Sequence, residues 1–94
     1  MEIASIAHKG VLGLFTKGTK RGLRADLVPR LENILTALVV SPDMESLNGP
    51  PGWRIHQLKG DRAGEWSISV SGNWRLTFTV KAGVIHDLNL EDYH

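Results

Sequence analysis

Cysteine is absent from the 94 residues. That excludes a disulfide framework, thiolate zinc sites, iron–sulfur clusters and a cysteine nucleophile. Neither sign of charge is in excess: 11 basic and 10 acidic residues leave a formal net charge of +1, so bulk electrostatics does not announce a nucleic-acid binder. No apolar run approaches the roughly 20 residues of a membrane helix; the longest near-apolar stretch, residues 34–40, is interrupted by Thr36. Met1-Glu2-Ile3-Ala4-Ser5 lacks the basic and apolar regions of a signal peptide, and the expectation is a soluble, cytoplasmic chain. There is no Gly-x-Gly-x-x-Gly or Walker-type loop, so nucleotide-cofactor chemistry has no support. No internal repeat or low-complexity segment divides the chain, and its size predicts one domain over residues 1–94.

The first half reads as helical and the second as strands. Residues 2–7 alternate loosely and can form a short strand. Residues 10–17 read as a short helix closed near Gly18, followed by a turn at Thr19-Lys20-Arg21-Gly22. Asp26 is a plausible N-cap for a longer helix, with Pro29 in its first turn, where a missing N–H costs little. Leu27, Leu31, Ile34, Leu35 and Leu38 recur at helical spacing as a core stripe. After a Pro- and Gly-rich loop the period changes to two. Trp66, Ile68 and Val70 alternate with serines, and Trp74, Leu76, Phe78 and Val80 alternate with Arg75, Thr77, Thr79 and Lys81. Gly72-Asn73 and Ala82-Gly83 supply the turns, residues 84–90 a third strand and residues 53–58 a fourth. The helix covers the apolar sheet face, and the polar face is expected to stay open.

Arg75 on that polar face suits a phosphate clamp. His56 and Leu58 fall on one side of their strand, so that strand has a bulge near its end or is buried on both faces. Lys59 stands where the strand ends. The chain closes with Glu91-Asp92-Tyr93-His94. Metal-free RNA cleavage needs a base for the 2′-hydroxyl, an acid for the leaving 5′-oxygen and cations for the phosphate oxygens. Imidazole, with an unperturbed pKa of about 6.5, suits the proton transfers, and arginine and lysine suit the phosphate. Lys9, Lys17, Lys20, Arg21 and Arg24, with no acid among them, form either a solvated face or a phosphate-facing patch. Zinc ligation by His8, His56, His86 and His94 is the competing reading, but no pair has the helical H-x-x-x-H spacing.

His56-Gln57-Leu58-Lys59-Gly60-Asp61, Gly64-x-Trp66-Ser67, Ser71-Gly72-Asn73-Trp74-Arg75-Leu76-Thr77-Phe78 and the terminal Glu91-Asp92-Tyr93-His94 resemble, in that order, the HigB branch of the RelE/ParE toxin superfamily. His8-Lys9-Gly10-Val11 and Leu14-Phe15-x-x-Gly18 match as well, so the resemblance covers nearly the whole chain. It implies an α+β fold, RelE/ParE-like, with two N-terminal helices packed on one face of a small twisted antiparallel sheet. It implies a bacterial type II toxin that cuts mRNA on the translating 70S ribosome, with the RNA's own 2′-hydroxyl as nucleophile and no metal or cofactor. The implied partners are the ribosome, mRNA and a helix-turn-helix, HigA-like antitoxin, through which operator DNA is reached only indirectly. Catalytic roles carry over to His56, Asp92, Tyr93 and His94, substrate contacts to Lys59, Arg75 and Asn73. Gln57, Leu90 and Ile6 depart from residues common in the family, and none removes a candidate catalytic group. Two rivals stay open: a gyrase-poisoning toxin of the same superfamily, and an attenuated toxin acting mainly as its antitoxin's co-repressor.

Overall fold

A computed structural model describes residues 1–92. Strand β1 (Glu2–Ile3) leads to helix α1 (Lys9–Lys17). His8 caps α1, its Nδ1 accepting from the backbone N–H groups of Gly10 and Val11 at 3.1 and 3.2 Å. This satisfies two of the donors a helix start leaves orphaned. Gly18, at φ 70°, takes the left-handed conformation that closes the helix. Helix α2 (Val28–Val40) does not start at an Asp26 cap. A 3-10 turn, Ala25–Leu27, precedes it, and Leu27 occupies the cap position without a side-chain bond. Asp26 instead accepts from the Arg24 guanidinium at 3.0 Å. Pro29 sits in the first turn as expected, and Val28, Leu31, Ile34, Leu35 and Leu38 face inward.

The strands β2 (His56–Gln57), β3 (Trp66–Ser69), β4 (Trp74–Lys81) and β5 (Val84–Asp92) complete a five-stranded sheet ordered β1-β5-β4-β3-β2. All pairings are antiparallel except β1 on β5, where Glu2 lies opposite Val84 and Ile3 opposite Ile85. The β4–β5 turn uses Ala82 and Gly83, both at positive φ, the geometry that matches strand twist in a two-residue hairpin. The β3–β4 connection is longer than the expected two-residue turn, with Val70 and Ser71 donating to the Trp74 carbonyl across it. A bulge interrupts β5 where Asp87 adopts φ 56°, and the Ser5 hydroxyl accepts its N–H.

Side chains directly opposite across strands share a face. Ile68, Leu76 and Leu90 therefore point together, and they join Phe78, Ile85 and the α1 and α2 stripes in one core cluster. This is an α+β fold with both helices on one face of the sheet. The opposite face is polar and partly open: Ser69, Arg75, Thr79 and Asn89 are half-buried, while Ser67 and Thr77 are both 2% exposed, Thr77 bonding to the ion-pair cluster described below. No helix among the described residues is long and apolar enough to cross a membrane.

Candidate active site

The expected strand over residues 53–58 shrinks to the two residues of β2. Pro51–Trp53 forms a 3-10 turn, and Arg54 follows at φ 48°. A left-handed L-residue costs about 1 kcal/mol, a price met more often at functional positions than elsewhere. His56 is neither bulged nor buried on both faces; it stands exposed on the outer strand, opposite Ser67. Its Nδ1 lies 2.7 Å from the Arg54 carbonyl oxygen. A carbonyl only accepts, so Nδ1 carries the hydrogen and the lone pair of the neutral ring resides on Nε2. The backbone strain at Arg54 and the tautomer of His56 are thus two consequences of one turn.

Register gathers the rest. His56, Ser67, Thr77 and Asn89 form one cross-strand row, and Ser69, Arg75 and Glu91 the next. Arg54, His56, Ser67, Ser69 and Arg75 line a pocket of about 120 Å³. Beside it, Arg75 donates through Nε and Nη2 to Glu91 Oε1 at 3.0 and 2.8 Å. Arg62 grips both Glu91 oxygens, at 2.6 and 3.0 Å, and both Glu65 oxygens, each at 2.8 Å. The Thr77 hydroxyl adds a 3.3 Å bond to Glu91. The Arg62 bonds, aided by Arg75, hold the Glu91 carboxyl down at about 2 against a partial burial that pushes it up. Arg62 also draws Glu65 below the usual carboxylate range. Such paired, charge-assisted bonds fix the direction of a guanidinium.

The other expected residues separate. Lys59 occupies the position before the 3-10 turn Gly60–Arg62, without a side-chain cap bond, and is not among the residues lining the pocket. Asn73 is exposed in the β3–β4 loop. Asp92 pairs with Trp74, and strand pleating directs its side chain to the side of Leu76 and Leu90, opposite to His56. Its route to the pocket is round the end of the sheet. Tyr93 and His94 lie outside the described residues. Of the basic patch, Lys9, Lys17 and Arg21 line one groove of about 600 Å³ between α1 and the turn after it, together with Leu12 and Thr16. Lys20 is exposed outside that lining, and Arg24 is paired with Asp26. His8 serves as the α1 cap, and His86 lies opposite Thr79. Among the described residues no group of three or more histidines and acids comes together that could hold a metal ion.

Sequence reasoning does not single out Arg54 or Arg62, and it gives Glu91, quoted in the terminal motif, no role. Arg54 had a signal, standing two residues before His56 and hence on the same side of an extended chain. Arg62 and Glu65 carry helical i,i+3 spacing. Glu91 had none without the β4–β5 register.

The model of a toxin family, described as the RelE-like toxin of type II toxin–antitoxin system HigB, matches residues 4–94. Endoribonuclease HigB of Proteus vulgaris is 44% identical over 92 residues, which are 98% of this chain and 99% of that protein. Among solved structures, YafQ from E. coli strain BL21(DE3) superposes with a TM-score of 0.60 at 17% identity, over 94% of this chain and 91% of that one. A YoeB/ParE toxin from Agrobacterium tumefaciens does so at 0.56 and 16%, over 88% and 84%. At these identities the structures speak for the fold; the family match and the near full-length relative go further, and this chain belongs to the HigB-like toxins of the RelE/ParE superfamily.

Proposed function

We propose that this endoribonuclease toxin cuts messenger RNA on the translating ribosome, with the RNA's 2′-hydroxyl as the nucleophile. The observation that carries the reading is the His56 ring, held by the Arg54 carbonyl with Nε2 as its acceptor, in a pocket shared with Arg75. His56 Nε2 takes the 2′-hydroxyl proton as O2′ attacks phosphorus. The bond to the 5′-oxygen breaks, and that oxygen receives a proton from the second histidine of the scheme, His94. The products are a 2′,3′-cyclic phosphate and a 5′-hydroxyl. Arg75 stabilises the equatorial oxygens in a direction preset by Glu91, Lys59 adds a mobile cation and Asn73 contacts the RNA. As written, the reaction requires only side chains. A pocket of about 120 Å³ encloses little of a nucleotide, so the ribosome supplies the alignment.

As a type II toxin the chain has a cognate antitoxin. We take that partner to be a helix-turn-helix protein that also carries the pair to operator DNA, and we place both in the bacterial cytoplasm, where ribosomes are. Residues 1–94 act as one unit in this scheme, and the groove of Lys9, Lys17 and Arg21 meets ribosomal RNA.

The test is cleavage of mRNA on programmed ribosomes, with product ends analysed chemically. Wild type is expected to cut within the codon presented to it and to leave cyclic phosphate ends. His56→Ala should be slower by about 10²–10⁴-fold, the usual worth of a positioned base. Wild-type rates from His56→Ala would overturn the assignment. Intact message together with gyrase-linked DNA breaks would favour a gyrase poison.

A further inference from the structure

The His56 pocket does not end at Arg54. A second cavity of about 230 Å³ shares Arg54 and Ser69 with it. A third, of about 270 Å³, shares Arg30 and Ser69 with the second and reaches Asn33 and Trp53. The three adjoin one another through these shared residues and together form a furrow beside β3. It exists because β2 pairs only with Trp66 and Ser67 and leaves the rest of that edge without a strand partner. Among the described residues no carboxylate lines any part of it. Arg30 donates through Nη1 to the Val70 carbonyl at 2.9 Å and lines the second and third cavities. At the far end Trp53 forms a half-buried wall, backed so closely by Gly49 that a Cβ there would stand 2.1 Å from the ring.

We propose that this furrow is a second RNA subsite, which holds the message nucleotide next to the scissile bond. Its phosphate lies on Arg54 and Arg30, and its base lies toward Asn33 and the Trp53 wall. Guanidiniums match phosphate oxygens in pairs, and an amide beside an aromatic wall is the equipment for an unstacked base. The wall of Arg54 and Ser69 shared with the His56 pocket makes the occupant the strand being cut rather than an acidic segment of a protein partner. The subsite rests on the nuclease reading given above. It gives the strained Arg54 two duties: its carbonyl sets the His56 tautomer, and its side chain binds the neighbouring phosphate.

The experiment compares wild type with Arg54→Gln on programmed ribosomes. The messages carry a neutral methylphosphonate at either phosphate flanking the cut. At one position the modification should lower wild-type kcat/KM about tenfold, the scale of one charge-assisted bond. Arg54→Gln should cut the unmodified message about tenfold more slowly, and the same modification should then add no further loss. Arg30→Gln should repeat this pattern, while Asn33→Ala should alter base preference at the adjoining nucleotide. Arg54→Gln and Asn33→Ala should melt at the wild-type temperature. Additive losses, or a defect confined to antitoxin binding, would overturn the subsite while normal wild-type cutting leaves the nuclease reading intact. No cutting by wild type on unmodified message would remove that reading, and the subsite with it.

Discussion

Glu91 accepts hydrogen bonds from two guanidiniums at once, and this couples the chain's stability to the direction of Arg75. Its carboxyl, ordinarily at 4.5, is held at about 2. The unfolded chain therefore binds a proton first as pH falls. The stabilisation is complete above about pH 4.5 and is lost progressively on the way down to about pH 2, as linkage requires. Glu65, also lowered by Arg62, acts in the same sense. Urea denaturation across this window should show wild type losing stability with acid. Glu91→Gln should start about 2 kcal/mol lower at neutral pH, the cost of losing a paired charge, and should depend less steeply on pH. Parallel acid profiles for the two proteins would contradict this account. A second expectation concerns Arg75→Lys. An ammonium cannot make both of the arginine's bonds to one carboxylate oxygen while its head lines the pocket. The variant should fold but cut message at least tenfold more slowly on programmed ribosomes.

Among the elements, the turn from Pro51 through β2 is the one that builds the pocket. Arg54→Gly relieves a backbone conformation that only glycine adopts without cost. The variant should unfold at higher urea, by up to about 1 kcal/mol, and still lose activity, because the guanidinium leaves the pocket. Equal loss of stability and activity would mean that the turn carries no strain. Gly49→Ala should do the reverse and destabilise the chain by displacing Trp53, whose ring would meet the new methyl. The same turn explains what could be read in advance. Trp74, Leu76, Phe78 and Val80 report β4 through period two because one sheet face is buried beneath the helices. β2 has two exposed residues and no buried face, so no periodicity marks its limits or orients His56. Asp26 has the chemistry of a cap, but the neighbouring Arg24 takes its carboxylate. His56 and Arg75 could be picked out by residue type. Their meeting required the register that sets Ser67 between β2 and β4, which the hydrophobic pattern does not specify for so short a strand.

Across the whole molecule a net charge of +1 conceals two cationic surfaces. Lys9, Lys17 and Arg21 come from neighbouring stretches of chain, so the α1 groove was visible as an acid-free run. Arg30, Arg54 and Arg75 are far apart in sequence and converge only once α2, the 51–57 turn and β4 are packed. The two surfaces differ in what they would do. The furrow adjoins the bond being cut, so its loss should appear in the chemical step. The α1 groove lies on the helices, away from the β2–β3 edge, so its loss should appear in association with the ribosome. Neutralising Lys9, Lys17 and Arg21 to glutamine should therefore leave the cleavage rate at saturating toxin unchanged. Ribosome affinity should fall, and the slope of log affinity against log salt should become shallower by about 2–3, roughly one for each phosphate that a cation no longer neutralises. Co-sedimentation with ribosomes over a salt series measures that slope. A slope equal to wild type would mean that these three cations face solvent, and a lowered rate at saturation would mean that the groove, rather than the furrow, adjoins the message.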